Sequence, residues 1–449
     1  MPRTVVYPLV FVFLLLVPTL AFANQLDLFG LTGRATSLAN AYTALADGPE
    51  AAFYNPGALI ESRNIRAMAG YSFSVPALSL DIQTKGGGDA TDPEDVQRAR
   101  SPEAGQWLSA GVSGGIYDRV YFGFAMQVPI DGSARRKILS PDRPYFLDYD
   151  TGIFGLTMIP SMAVQLAPNF GLGAGVRFTM DPFGTMYSDV PTAEGDYTVK
   201  TMGKSQLNGQ ASPIIGFYAR SHEFLRFALT YQGQSYSYYH KTTREQLVPE
   251  DPNGYVEVET EAWYNFIPRR ITLGIVGEPD EHVTLTAEMS YVGWSAYNAP
   301  TPRIRLDFSN MNEHHIAYNR PHLLYREDPD FSDIFVTRFA VEPRVNKHLA
   351  FRVGYAFEPS PVPKQDGTTT IIDSSTHVIS FGVGTNFGGW SGDRFSIDLA
   401  VQDHIMTDYY VTKSAGNMQE DDPKTNVAYP RFEASANYIY SGLTASFRF

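Results

Sequence analysis

Gly30-Leu31-Thr32-Gly33-Arg34 opens, and Phe53-Tyr54-Asn55-Pro56-Gly57-Ala58-Leu59 closes, the stretch of this chain whose pattern is helical. Between them Ala35, Leu38, Ala39 and Tyr42 recur at helical spacing, and Leu45 continues the same face, so a short amphipathic helix is predicted. Asp47-Gly48-Pro49 stops that helix, and Glu50 to Tyr54 reads as one more turn. Asn55-Pro56-Gly57 is a turn signal. After Asn64 the helical periodicity disappears and short alternating segments follow to the end of the chain. A compact helical piece ahead of an all-β body predicts a plug ahead of a barrel.

The body alternates with period two, the pattern of a strand whose two faces meet different surroundings. In Val283 to Tyr291 one face is Val, Leu, Ala, Met and Tyr, and the other is Thr, Thr, Glu and Ser. Val120 to Val128 repeats the pattern with Gly and Ala on the second face. About 14 segments of membrane-spanning length follow one another between residues 64 and 449, the eighth placed at 259–277. Short turns such as Asp118-Arg119 and Ala167-Pro168-Asn169 alternate with long polar loops, among them 237–258 and 295–332. That alternation, with an even strand number, is the layout of a transmembrane antiparallel β-barrel. A soluble β-sandwich also alternates, but its second face meets water; here that face holds Gly, Ala, Ser and Thr as often as charge, as a crowded lumen requires.

The N-terminal motif carries a family resemblance. Small residues around Arg34-Ala35, an Ala-rich helix, Ala46-Asp47-Gly48 and then Ala52-Phe53-Tyr54-Asn55-Pro56-Gly57-Ala58-Leu59 resemble the hatch of FadL-type outer-membrane transporters, which include long-chain fatty-acid channels and toluene and xylene channels. The resemblance runs from Asn24 to Phe449. It implies passive uptake of hydrophobic compounds, gating by a hatch with Phe53, Asn55, Pro56 and Gly57 at the gate, and no cofactor. The family's motif usually ends Asn-Pro-Ala; Gly57 keeps the turn and is expected to loosen it.

Three segments are therefore expected: a signal peptide at 1–23, a hatch at 24–63 and the barrel at 64–449. Arg3 precedes an apolar run from Val5 to Leu20, and Ala21-Phe22-Ala23 is a small-x-small cleavage site. Pro8 and Pro18 interrupt the run and no basic flank follows it, which argues against a membrane-spanning helix. The exported chain lacks Cys, and its net charge of −13 argues against nucleic acid as a partner. The last residues, Leu443 to Phe449, alternate and end in Phe449, resembling the signal read by outer-membrane assembly machinery. The expected address is the outer membrane of a Gram-negative bacterium, with its lipid and lipopolysaccharide as surroundings and the monomer as the unit.

Enzymatic motifs are weak. Gly111-Val112-Ser113-Gly114-Gly115 matches G-x-S-x-G but sits inside an alternating strand, where no sharp turn exposes the serine. Glu313-His314-His315 lies in the longest loop and matches no metal-site spacing. No enzyme is indicated, and no metal is expected.

Parity places Arg177, Arg226, Arg270, Arg338 and Arg352 on the lumen face, with Asp181, Glu288, Glu342 and Asp398. An Arg facing lipid near the midplane would cost about 2–4 kcal/mol, so that parity has meaning. Two readings stand: a paired network that holds the hatch, with Asp47 and Glu50 as further partners, or one Arg left to meet a substrate carboxylate. Arg135, Arg136 and Lys137 form a basic loop cluster suited to fatty-acid head groups or lipopolysaccharide phosphates. In Val128-Pro129-Ile130-Asp131-Gly132 the proline cannot donate to a ladder. In the resembled family this third strand kinks inward and opens a sideways exit; Pro129 and Gly132 fit that kink or a plain strand end equally. A surface-exposed barrel that binds a partner through its long loops is the alternative to a transporter.

Overall fold

A computed structural model describes residues 26–84, 104–130, 145–146, 156–181, 189–191, 198–200, 208–222, 224–246, 255–297, 303–307, 322–324, 330–366, 371–389, 392–413 and 430–449. Fourteen antiparallel strands close into a barrel. They are β1 (Arg66–Thr84), β2 (Gly105–Tyr117), β3 (Val120–Pro129), β4 (Leu156–Ala167), β5 (Phe170–Asp181), β6 (Asn208–His222) and β7 (Leu225–Gln232). The second half holds β8 (Arg269–Asp280), β9 (Val283–Gly293), β10 (Ile334–Asn346), β11 (Leu349–Glu358), β12 (Thr376–Gly389), β13 (Gly392–Met406) and β14 (Pro430–Arg448). Each strand pairs with its sequence neighbour, and β14 returns to β1 in a ladder from Arg66 opposite Arg448 to Thr84 opposite Pro430. Closure leaves no edge in the ring, so backbone donors and acceptors are satisfied without water.

The period-two pattern decides which way each side chain points. In β9, Thr284, Thr286, Glu288 and Ser290 are buried, whereas Leu285 and Met289 are 47% and 48% exposed. Phe339 and Phe381 likewise stand out from the wall. The apolar residues are thus outside and the polar residues inside, the inverse of a soluble fold and the arrangement lipid selects.

Two sequence expectations shift. The eighth strand begins at Arg269, because Tyr255–Ile267 leaves the barrel and pairs with Ser235–Gln246 in a separate four-stranded sheet. The stretch read as a polar loop at 237–258 is largely this hairpin; Val256, Val258 and Thr260 alternate with carboxylates there, and Pro268 separates its second strand from the barrel strand that follows.

The N-terminal piece fills the lumen. It contains α1 (Leu26–Phe29), α2 (Gly33–Ser37), α3 (Ala51–Tyr54) and a 3-10 helix at Pro56–Glu61. The helix expected from Ala35 to Leu45 stops after Ser37, where Ala39 and Asn40 take left-handed φ values of 50° and 61°. The wall dictates the break: a Cβ on Gly354 of β11 would lie 2.4 Å from the Leu38 carbonyl carbon, so barrel backbone lies against the chain there. Thr32 caps α2 by accepting from Ala35 N at 3.2 Å. Leu38, Tyr42, Leu45, Phe53 and Leu59 share one core with Tyr121, Ile159, Ile214 and Val276 of the wall.

Candidate functional site

The plug is too short to satisfy its own backbone, and the wall completes it. Ser161 Oγ donates to Ala52 O at 3.1 Å, Thr286 Oγ1 to Ala41 O at 3.0 Å and Ser380 Oγ to Ser37 O at 2.9 Å. Thr230 Oγ1 and Gln232 Nε2 donate to the carbonyls of Tyr54 and Phe53 at 3.2 and 2.9 Å. In the other direction Gly33 N donates to Thr444 Oγ1 at 2.8 Å, and Thr43 N donates to Glu288. This is why the lumen face is rich in Ser and Thr: buried carbonyls without partners would each cost about 1–3 kcal/mol.

Asn55 sits at the centre of the plug's turn and is fully buried. Its Nδ2 donates to Thr43 O at 3.2 Å and to Phe217 O of β6 at 3.1 Å, while its Oδ1 accepts from Gly57 N at 3.0 Å. Pro56 enters the first turn of the 3-10 helix, where its missing donor costs nothing. Gly57 has a steric role besides the one its place in the turn suggests. A Cβ there would lie 2.6 Å from Gly216 O and 3.0 Å from Gly171 O, so the absence of a side chain lets plug and wall backbones touch. The wall answers with glycines of its own: a Cβ on Gly173 would meet Pro56 C at 2.3 Å, and one on Gly216 would meet Asn55 Oδ1 at 2.0 Å.

Charges tie the plug at several points. Arg34 of α2 grips Glu342 of β10 with Nε and Nη2, each at 3.0 Å. Glu342 also accepts from Arg352 Nε at 2.7 Å, and Arg352 Nη1 donates to Asp398 at 2.6 Å. Asp47 lies 3.1 Å from Arg66 and 3.8 Å from Arg34. Burial pushes the Asp47 carboxyl up, but Arg66 and Arg34 outweigh it and hold it below its ordinary value. Burial and the neighbouring Asp47 push Glu50 up, and Tyr42 Oη donates to it at 3.3 Å. Arg177 clamps Asp27 of α1 with Nη1 at 2.8 Å and Nη2 at 3.2 Å, and its guanidinium stands 5.1 Å from the Phe53 ring centroid. At the short-turn end Arg226 donates to Glu278 at 2.6 Å and Arg220 to Glu61 at 2.9 Å.

Arg270, Arg338 and Glu288 line a cavity of about 30 Å³ between plug and wall, shared with Phe53, Asn40 and Gln232. That volume holds a water or two and no hydrocarbon. Arg338 donates to Ser290 Oγ at 3.2 Å. Thus Arg177, Arg226 and Arg352 are paired, whereas Arg270 and Arg338 make no ion pair among the described residues. Sequence reasoning missed Asp27, Glu278, Arg344 and Arg66. Arg344 shares its strand parity with Glu342, which is the signal in the sequence that points to it.

The remaining singled-out residues fall elsewhere. Pro129 ends β3 opposite Trp107 of β2, with its ring buried toward the lumen, and the β3–β4 ladder ends two residues earlier at Gln127. Ser113 of the G-x-S-x-G match donates to Ser62 Oγ at 3.1 Å. Phe449 N donates to Ile65 O at 2.9 Å, and its ring is 62% exposed. Gly132, the Arg135-Arg136-Lys137 cluster and Glu313-His314-His315 lie outside the described residues, as does the Asp181 side chain.

A closed barrel with an internal plug bonded to its wall defines the class: an outer-membrane transport barrel. Residues 14–449 match the family described as outer membrane protein transport protein (OMPP1/FadL/TodX), and the chain belongs to that family. Solved structures agree on the fold. A Pseudomonas aeruginosa FadL homologue is 14% identical, with 96% of this chain and 99% of that one covered and a TM-score of 0.61. The P. putida toluene transporter TodX is 13% identical, with 94% and 99% covered and a TM-score of 0.56. The Ralstonia pickettii toluene transporter TbuX is 15% identical, with 94% and 99% covered and a TM-score of 0.53. No protein of curated function matches the sequence significantly.

Proposed function

We propose that this outer-membrane barrel admits hydrophobic compounds passively, long-chain fatty acids or aromatic hydrocarbons, with the plug as its gate. The carrying observation is the plug's attachment: it fills the lumen, yet it is fixed to the wall by separate, individually breakable contacts at Arg34, Asn55 and Arg177. Family membership supports transport, and the toluene transporters of the same fold support the substrate class. A hydrophobic solute gains nothing from a water-filled pore, and a route along apolar surface into the bilayer keeps it out of water. Binding that favours a shifted plug would open that route. The sideways exit is proposed at the end of β3, where Pro129 supplies no ladder donor. Lipopolysaccharide at the loops and the assembly machinery at Phe449 are the proposed partners.

Uptake of labelled oleate and toluene by cells carrying the wild type, Asn55→Ala/Pro56→Ala and Pro129→Val tests this. The first variant should change uptake kinetics at equal surface expression, and the second should slow uptake while ligand binding by purified protein persists. Wild-type cells that take up neither compound faster than cells lacking the barrel would overturn the proposal.

A further inference from the structure

Three of the lumen arginines, Arg177, Arg226 and Arg352, each have a carboxylate, but Arg270 and Arg338 have none among the described residues. Arg338 of β10 stands directly across the ladder from Glu288 of β9, yet the two form no ion pair. Glu288 is turned to the plug, where it accepts from Thr43 N. Arg338, only 5% exposed, reaches instead to the Ser290 hydroxyl at 3.2 Å. Arg270 of β8 is half-buried opposite Gln232 of β7 and makes no hydrogen bond among the described residues.

Both guanidinium groups line the cavity of about 30 Å³ between plug and wall. The neutral donors around it are already in use. Gln232 Nε2 and Thr230 Oγ1 donate to plug carbonyls at 2.9 and 3.2 Å, and Thr272 Oγ1 lies 2.9 Å from Ser290 Oγ. The charges of the lining do not balance. It holds Arg270, Arg338, Glu288 and Asp27, and Asp27 is taken by the two-armed clamp of Arg177. Glu358, the next carboxylate along the wall, lines a different cavity with Trp294 and His404. Even with Glu288 ionised, two arginines face one carboxylate, and a buried charge without a counter-charge is strongly disfavoured. Water fills such a volume but supplies no charge.

We propose that the cavity between Arg270 and Arg338 binds one small monovalent inorganic anion, chloride under ordinary conditions, as a structural counter-ion at the plug–wall boundary. Guanidinium groups donate and never accept, so the two free ones select an anion over a cation. The excess of a single charge selects a monovalent ion over sulfate or phosphate. Size selects an inorganic one: the volume suits a water or two, and chloride is little larger than water, whereas a fatty acid's carboxylate brings a tail that the cavity cannot hold. The ion completes the set of plug–wall ion pairs with a partner taken from solution, whatever the barrel transports.

The experiment follows thermal unfolding of the full barrel in detergent micelles at constant ionic strength, with sodium chloride exchanged stepwise for sodium gluconate, whose anion is too large for the cavity. The melting temperature should rise with chloride and with bromide, because an ion that binds only the folded state stabilises it. Crystals grown in bromide should show an anomalous peak within hydrogen-bond reach of both guanidinium groups. Arg270→Gln balances the lining without an ion and should abolish the chloride shift. Glu288→Gln keeps an acceptor for Thr43 N but removes the competing negative charge, so half the shift should be reached at about tenfold lower chloride. If Arg270→Gln does not assemble, the direction of the Glu288→Gln change decides. Equal melting in chloride and gluconate, or a shift that survives Arg270→Gln, overturns the proposal. A bromide peak without a shift in melting makes it an adventitious ion only, and bromide displaced by oleate gives the site to a substrate carboxylate; either result also overturns it.

Discussion

Arg34 and Glu342 form a two-armed ion pair across the plug–wall boundary, with Nε and Nη2 each 3.0 Å from a carboxylate oxygen. Glu342 is almost fully buried and also carries Arg352 and Arg344, so one wall carboxylate serves a plug cation and two wall cations together. Removing only the plug partner, by Arg34→Met, frees the plug at α2 while Arg352 still neutralises Glu342. Single-channel recordings should then show transient openings that the wild type lacks, with the barrel still heat-modifiable on gels. Glu342→Met leaves the guanidinium groups of Arg34, Arg344 and Arg352 without their shared partner, and the expected loss of stability is larger, about 3–5 kcal/mol. Equal melting of the two variants would refute the asymmetry.

Gly57 gives a steric prediction. Gly57→Ala places a methyl 2.6 Å from Gly216 O, and that oxygen is backbone held in a strand, so it cannot step aside. The plug must move instead, at a cost of about 1–3 kcal/mol. Limited proteolysis should cut the plug faster in the variant while the barrel itself survives. Gly277→Ala is the control, since a Cβ there meets nothing within 4 Å. Equal cleavage of Gly57→Ala and wild type would show that the contact has slack.

Asp333 sets a pH dependence at the mouth. It accepts from Ser295 N at 2.8 Å and from the Tyr291 hydroxyl. Slight burial pushes its carboxyl up, but these hydrogen bonds outweigh the burial and hold it below its ordinary value. A depressed carboxylate contributes stability above its unfolded pKa, about 3.9, and loses it as pH falls through the lower folded value. The fluorescence of Trp294, as sole tryptophan, should stay constant from neutrality to about pH 4 and change below it. Asp333→Asn should abolish the step; a step that survives the substitution assigns it to another carboxyl group.

Phe449 should matter for assembly more than for the finished barrel. Its ring is exposed and touches Phe447 at 4.7 Å, so removing it uncovers little. Deleting Phe449 should lower the amount of heat-modifiable barrel in outer-membrane fractions severalfold, while the melting temperature of what does assemble stays near wild type. Undiminished assembly would remove the terminal aromatic from the signal.

The sequence by itself determined the barrel. Lipid accepts a β-structure only when it is closed and apolar outside, so alternation in segments such as Val283 to Tyr291 fixed both strand type and facing without reference to anything distant. Parity alone likewise brought Glu342, Arg352 and Asp398 to one side of the wall. Tertiary structure decided what the plug became. Helical spacing from Ala35 to Leu45 is a local signal, and it lost to barrel backbone at Gly354, which lies where the helix would have run. Gly57 reads as a looser turn in one dimension and is a contact point in three, because the atoms it spares, Gly216 O and Gly171 O, lie more than a hundred residues away. The same distance hid the Asp27–Arg177 clamp and the seat of Phe29 between Tyr438 and Tyr440. Spacing along a chain reports neighbours on one element; which wall residue meets which plug residue is settled only when the sheet closes around it.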